Sequence, residues 1–437
     1  MTSEEGRATT YNPALSNLGG EDVNGISVPN DIGKLRRVLV HAPGRESSEH
    51  STSSFDQVFF VRAAFGKRSF DFDRACEEHD ALVSVLREHG VEVLSLEDLL
   101  AQTIDGSPEA RQTFIDGYVD ECGVQGMELR GAVRRCLEKR APGIELVSKA
   151  LAGVTYGETD LGGAKSESLA ESLGVSYDDE AILAGPLSTM FFTKDPIATV
   201  NDGAVACNMY WSDRARETLL YKTVFSFHPD FTDTKIWLKD RSSYHIEGGD
   251  IANLGSSSLM VGISDRTEAA AIDSLARQLL WSESGIDRVF AVPVRSQRRR
   301  IHLDTYISRV DVDKFVVDPS FERDFRSYEI TRGRREGTLT VSESDESLRQ
   351  LLSRATRVGQ CTLISPRDTL SSEWEIEDSS PSVLCIEPGV CCARAGNNNT
   401  NEALATAGVE VIEVTLEELT YGFGGPNSLV LPLWRDE

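Results

Sequence analysis

The sequence predicts an α/β fold built from repeated helix–glycine–strand units and interrupted by one helical segment. Three observations point there. Leu86 to Leu94 leaves a helical pattern, turns at Gly90 and enters a strand, and Leu404 to Ile412 does the same through Gly408. Leu280 to Phe290 is a third copy, turning at Gly285. Glycine accepts the left-handed conformation that stops a helix, and the β-branched residues after it suit a pleated strand. Second, Ile272, Leu275, Ala276, Leu279 and Leu280 form one apolar stripe at helical spacing between Glu268 and Leu280. Third, the chain changes character between about 97 and 180, where Glu109 to Leu151 is charge-rich with helical spacing. One unit recurring over the whole chain suggests a repeat architecture. Because the same unit is common in α/β proteins, three copies leave repeat and coincidence both open.

The elements follow in order. Residues 1–30 are rich in Ser, Thr, Gly, Asn and Glu and read as a flexible lead, without the basic start and apolar run of a signal peptide. Arg37 to His41 is a strand opening the main α/β domain, assigned to 31–96 and 181–437. Residues 97–180 are a helical insertion with a loop at Gly162 to Ser166. Further strands fall at Ser258 to Gly262 and Lys314 to Val317. The very polar stretch Phe321 to Glu346 reads as a surface excursion or a pair of outer strands.

Composition narrows the function classes. A chain of 437 residues can bury a large core. With 45 Lys+Arg against 70 Asp+Glu, the net charge is −25, which repels nucleic acid and anionic membranes. No apolar run of about 18 residues is present, so no transmembrane helix is expected. The eight cysteines have neither metal-site spacing nor a dense disulfide framework, so reduced thiols and a cytoplasmic location are expected. Cys391 and Cys392 suit a strand that sends one side chain to each face. No phosphate loop, dinucleotide fingerprint or metal cluster is present, and no cofactor is expected.

Four short blocks carry the chemistry: Phe192-Thr193-Lys194-Asp195-Pro196, His245-Ile246-Glu247-Gly248-Gly249-Asp250, His302-Leu303-Asp304-Thr305, and Gly422-Phe423-Gly424-Gly425-Pro426-Asn427-Ser428. Singly each is weak, since Asp before Pro closes turns and Gly-Gly makes bulges. In this order and spacing, and with the opening Gly33 to Gly44, the chain resembles the arginine deiminase family of guanidine-modifying enzymes from about Asp31 to Glu437. The resemblance implies a five-bladed α/β propeller, pseudo-fivefold, with the active site at its central axis and a helical insertion domain.

Guanidine chemistry explains the residue types. A guanidinium is planar, cationic and a poor electrophile. Carboxylates orient it through paired hydrogen bonds, a nucleophile adds to its central carbon, and an acid protonates the departing ammonia. The resemblance implies that Asp195 and Asp304 grip the guanidinium. It makes Glu247 and His302 the proton-handling pair, with His302 and Asp304 expected on one face of a strand. It implies that Arg266, and Arg214 or Arg216, hold the substrate's carboxylate. The remaining histidines read as surface or packing residues.

The chain departs from the family's pattern at its end. Ser428 stands where the nucleophilic cysteine is expected, Tyr421 and Phe423 stand for arginines, Thr189 for an asparagine and Lys194 for an arginine. A serine hydroxyl is far more basic than a thiol and needs an adjacent base. His302 and Glu247 are the candidates for a Ser/His/Glu arrangement. Phe423 marks a more apolar substrate contact. Three readings follow: an enzyme on L-arginine or a related guanidino or amidino compound, a ligand-binding or regulatory pseudoenzyme that keeps the guanidinium pocket, and a deiminase whose nucleophile was removed by engineering. The family also implies a homo-oligomer.

Overall fold

The computed structural model describes residues 25–48, 70–160, 179–239, 243–255, 257–295, 300–367, 369–420 and 424–437. One three-strand pattern occurs five times. Two strands pair antiparallel, and the second pairs parallel with a third. Ile197–Val200, Gly203–Ala206 and Lys235–Trp237 form one unit. Ile251–Gly255, Ser258–Ile263 and Arg288–Pro293 form the next. Ile307–Arg309, Lys314–Val317 and Thr362–Ile364 follow, then Leu384–Glu387, Val390–Arg394 and Glu410–Val414. The fifth unit joins the two ends of the chain: Leu431–Arg435 pairs with Leu35–Val40, which pairs parallel with Glu92–Ser95.

Parallel pairing requires a crossover, and a helix supplies it in each unit. These helices are Phe72–Glu88, Glu217–Phe227, Ala269–Leu280, Leu348–Ala355 and Asn398–Thr406. The apolar stripe read between Glu268 and Leu280 is buried at Ile272, Leu275, Ala276, Leu279 and Leu280. Gly90, Gly285 and Gly408 take positive φ (75°, 78° and 80°) before their strands, and Arg357 (58°) does so before Thr362–Ile364, in the unit whose crossover carries an inserted hairpin. The three copies visible in the sequence are therefore members of a fivefold set. The other two are masked by His228-Pro229 at one helix end and by an inserted hairpin.

Among the described residues, the segment read as an insertion holds the helices Leu96–Gly106, Pro108–Glu121, Met127–Glu138 and Gly143–Ala152. Ser95 and Ser107 cap the first two by accepting the N–H groups of Asp98 and Ala110. Their apolar faces do not form a separate core. Phe114, Tyr118, Leu146 and Leu151 pack in one cluster with Ile197, Ala204, Leu431 and Leu433 of the strand units. The loop at Gly162 to Ser166 lies outside the described residues.

The polar stretch after Phe321 forms paired outer strands, Ser327–Arg332 and Leu339–Ser344, which extend one sheet to five strands. Cys391 packs with Val310 and Val316, and Cys392 with Leu35 and Val38, so the adjacent thiols do face opposite ways. None of the eight cysteines forms a disulfide. Of the N-terminal lead, residues 1–24 lie outside the described residues. Residues 25–30 are not a loose lead. Ile26 and Val28 are buried, Ser27 and Val28 donate to Leu433 and Asn201 carbonyls, and burial of two apolar side chains outweighs the polar composition around them. Among the described residues, no helix is long and apolar enough to cross a membrane.

Candidate active site

The site is assembled from turns at the ends of strands. Asp195 lies just before the strand Ile197–Val200, and Glu247 just before the turn Gly248–Asp250 that leads into Ile251–Gly255. His302 and Asp304 lie in a turn before Ile307–Arg309, and Ser428 in the turn Pro426–Ser428 before Leu431–Arg435. His302 and Asp304 thus share a 3₁₀ turn rather than the expected strand face. The reason is Asp250, whose Oδ1 accepts the Leu303 N–H at 2.8 Å and pulls the chain out of an extended path.

The five residues read as catalytic or guanidinium-gripping converge. Glu247 Oε2 lies 2.7 Å from His302 Nε2, and Asp195 Oδ1 lies 3.6 Å from His302 Nδ1. Ser428 Oγ donates to Asp304 Oδ2 at 3.3 Å, and Asn427 Nδ2 donates to the same oxygen at 3.3 Å. Asp195, His302 and Ser428 line one small cavity together with Phe192, Ile301 and Gly424. All five side chains are buried. Asp195 Oδ1 and Asp304 Oδ1 are buried acceptors that take no hydrogen bond among the described residues.

Two glycines make the convergence possible. A Cβ at Gly249 would sit 2.5 Å from His302 Nδ1 and 2.7 Å from its Cγ. At Gly424, φ is +85° and a Cβ would sit 2.5 Å from Ser428 Oγ.

Electrostatics divides the roles. Burial favours neutral His302, but Asp195, Glu247 and Asp250 outweigh it and raise the imidazole to about 9, so it carries a proton at neutral pH. Burial likewise opposes the Glu247 charge, yet Arg266, His302 and Arg214 hold its carboxyl well below the usual range. Burial pushes Asp304 up, against Lys194 and His302, which favour its charge. Burial also pushes Asp250 up to about 6. Asp195, Glu247 and His302 offer ligand atoms within 4.8 Å of one another, a spacing a metal could use. A histidine raised to about 9 and held between two carboxylates suits an imidazolium better than a metal-ligating imidazole.

The expected Ser/His/Glu arrangement is not the one formed. Both nitrogens of His302 face carboxylates, and the group on Ser428 is Asp304. Nor is Arg214 placed as a carboxylate holder. It is buried, donates twice to Glu217 (2.9 and 2.7 Å) and once to Asp195 Oδ2 (2.9 Å). Two buried carboxylates compete for it more strongly than a transient ligand could, because their desolvation has to be offset. Arg216 donates to the Gly185 carbonyl and stacks 4.8 Å over Tyr118, away from the cavity. Arg266 contacts Glu247 only at 3.3 and 3.4 Å and lies 5.4 Å over Trp211. Thr189, in the asparagine's place, donates to Glu217 Oε1 at 3.2 Å. Tyr421 and Phe423 lie outside the described residues.

Four buried thiols are held away from the thiolate form. Burial, then Glu247, Asp195 and Asp250, push the Cys207 thiol well above its ordinary value. Burial pushes Cys385 and Cys392 up to about 12 and Cys391 higher still.

Several site residues carried no role in the sequence reading. Glu217 pins Arg214, and the i,i+3 spacing of Arg214 and Glu217 on a helix start was its one signal. Asp250 stood inside a quoted block without a function. Ser264 donates to Asp250 at 2.7 Å and accepts the Arg266 and Thr267 N–H groups at 3.0 and 3.1 Å. Thr267 Oγ1 in turn accepts the Glu247 N–H at 3.1 Å. This network ties three site residues to one buried carboxylate, and nothing in local sequence announces it.

Comparison with known proteins identifies the family. The arginine deiminase family profile matches residues 67–435. An arginine deiminase of Treponema denticola is 34% identical over 416 residues, covering 94% of this chain and 99% of that protein. One from Streptococcus pyogenes serotype M49 is 33% identical over 416 residues, covering 94% and 98%. Among solved structures, an amidinotransferase from Microseira wollei superposes with a TM-score of 0.51 at 12% identity, covering 94% of this chain and 98% of that one, a likeness of fold alone. Profile, identity over nearly the whole length and a mixed α/β fold agree that the chain belongs to the arginine deiminase family.

Proposed function

We propose that this chain acts on a guanidino or amidino compound such as L-arginine, as a hydrolase of its C–N bond with Ser428 in the nucleophile's place. The five three-strand units are read as five blades around an axis on which the four loops meet. One observation carries the proposal. Asp195 and Asp304 each have one oxygen hydrogen-bonded within the protein and one buried oxygen that takes no hydrogen bond among the described residues, Asp195 Oδ1 having only the 3.6 Å approach of a protonated His302. A buried carboxylate oxygen without a donor is costly, and the N–H edges of a planar cation would satisfy both.

The chemistry follows from the placement. Ser428 Oγ would bond to the guanidinium carbon as its proton passes to Asp304, the group it already touches. His302 would protonate the departing nitrogen, releasing ammonia and leaving an isourea ester on the serine. Water would then attack that carbon, its proton going to His302, and the C–O bond to Ser428 would break as Asp304 returns its proton to Oγ, giving a ureido product and the free serine. An alcohol attacked through a carboxylate base is slower than a thiolate.

One observation favours a second function for the same pocket, ligand binding without turnover. Ser428 shares its cavity with His302 but takes no hydrogen bond from the ring among the described residues, since both His302 nitrogens face the carboxylates of Glu247 and Asp195. The test is calorimetry and product analysis with L-arginine, agmatine and simple alkylguanidines. Binding that Asp195→Asn and Asp304→Asn both abolish is expected. Citrulline-type product and ammonia identify the enzyme, and binding without product identifies the sensor. If none of these guanidines binds, the proposal fails in both forms.

A further inference from the structure

One buried carboxylate outside the site grips the chain between the strand Glu410–Val414 and the turn that carries Ser428. It belongs to Glu78, on the helix Phe72–Glu88. Its Oε1 accepts the Glu417 N–H at 2.9 Å, and its Oε2 accepts the Glu418 and Leu419 N–H groups at 2.8 and 3.1 Å. The Thr420 N–H closes one helical turn onto the Leu416 carbonyl at 3.3 Å, and the N–H groups that open such a turn have no acceptor inside it. A carboxylate satisfies them with bonds stronger than neutral ones. The clasp is returned from the other side. Glu418, also buried, accepts at 3.3 Å the N–H of Asp71, the residue that caps the helix, and Arg74 pairs with Glu417 at the surface.

The clasped turn packs onto the neighbours of Ser428. Leu416 and Leu419 share one core cluster with Leu429 and Val430, which follow Ser428, and with Phe192, which lines the cavity. Ala75 and Leu82 of the helix that carries Glu78 belong to the same cluster. Ser428 itself has only long contacts to the rest of the site. Its carbonyl accepts the Lys194 N–H at 3.4 Å, and its Oγ donates to Asp304 at 3.3 Å. The guanidinium-gripping and proton-handling residues are anchored elsewhere. Arg214 holds Asp195 at 2.9 Å, Arg266 faces Glu247, and Asp250 fixes the turn of His302 and Asp304 through the Leu303 N–H. Loss of the clasp therefore shifts Ser428 against a grip that stays in place.

We propose that Glu78 is a positioning residue for Ser428: through the backbone of 417–419 it sets where the hydroxyl stands, and it touches no substrate itself. The inference deepens the proposed function, and its kinetic consequence rests on the reading of Ser428 as nucleophile.

Amide hydrogen exchange of the full chain, read by mass spectrometry, tests it without reference to activity. In Glu78→Ala, exchange is expected to quicken at least about tenfold at 417–420 and also at 427–429, since one lost charge-assisted bond has that effect. Peptides covering 245–255 and 300–310 are expected to keep wild-type rates. Glu78→Gln keeps one acceptor oxygen at the same reach and is expected to fall between wild type and Glu78→Ala. With L-arginine, kcat is expected to drop at least about tenfold in Glu78→Ala while the affinity stays within about twofold, because only the attacking atom has moved. A wild type that binds no guanidine, or binds without turnover, counts against the proposed function or its enzymatic form, and the exchange rates still decide the role of Glu78. If Glu78→Ala quickens throughout the chain, the same pattern is read in Glu78→Gln. Quickening confined to 417–420, unchanged exchange, quickening throughout the chain in both variants, or a loss of L-arginine affinity as large as the loss of kcat overturns the inference.

Discussion

Gly249→Ala reads the position of His302 directly. The added methyl carbon would lie 2.5 Å from Nδ1, 2.7 Å from Cγ and 3.0 Å from Cβ of His302, where ordinary contacts start at 3.4 Å. The ring has to retreat by about 1 Å to relieve the overlap. That movement opens its 2.7 Å bond to Glu247 and its 3.6 Å approach to Asp195. Loss of a charge-assisted hydrogen bond weakens the imidazolium by about 1.5–3 kcal/mol. The His302 pKa should then fall from about 9 by about one to two units, at 1.36 kcal/mol for each. The assay is a pH titration of the histidine ring signals by NMR, with His302→Gln to assign the resonance. Guanidine affinity measured in parallel should fall as well, because Asp195 loses its neighbour. If His302 titrates in Gly249→Ala as it does in the wild type, the packing argument fails and with it the claim that this glycine shapes the site.

Other perturbations separate the remaining parts of the argument. Ser428→Cys places a thiol beside Asp304 and His302 and is expected to raise citrulline production from L-arginine by orders of magnitude in a quenched assay. No gain would mean that the pocket, rather than the nucleophile alone, has diverged. Glu217→Ala leaves Arg214 buried with only Asp195 of its two carboxylate partners, and should cost about 3–5 kcal/mol in denaturant titrations. A change under half a kcal/mol would show that Arg214 finds another partner. The pH dependence of stability has a definite sign. His302 is raised from 6.5 to about 9 in the folded chain, so its contribution of about 3 kcal/mol is complete below pH 6.5 and is lost as pH rises through 9. Melting temperatures between pH 6 and 10 should decline more steeply for the wild type than for His302→Gln, and parallel curves would contradict the assignment.

How much was legible depended on how local each signal is. The stripe from Ile272 to Leu280 and the stops at Gly90, Gly285 and Gly408 are written within one or two turns of chain, and they stand in the structure as read. So does the strand pair after Phe321. The failures have one cause. Arg214 carries the right chemistry for a substrate carboxylate, but Glu217 and Asp195 claim it, and neither contact could be weighed without their distances. His302 and Asp304 were assigned to a strand because alternation is a local rule, whereas the Asp250 carboxylate bends them into a turn. Residues 25–30, with Ile26 and Val28 buried, were assigned to a loose lead because composition says nothing of which distant strand needs a cover.

By itself the sequence determined the α/β class, the apolar helix stripe and the glycine helix stops, because these depend on residue type and short spacing, while the carboxylates and imidazole proposed to handle a planar cation rest on the resemblance of four blocks in order. The tertiary structure alone decided which of those groups pair with one another. Asp304 rather than His302 holds Ser428, Glu217 rather than a ligand holds Arg214, and His302 carries a proton at neutral pH. Hydrogen bonding and charge coupling fall off within a few ångströms, and groups as far apart in the chain as Asp304 and Ser428, separated by 124 positions, reach that range only when the fold brings them there.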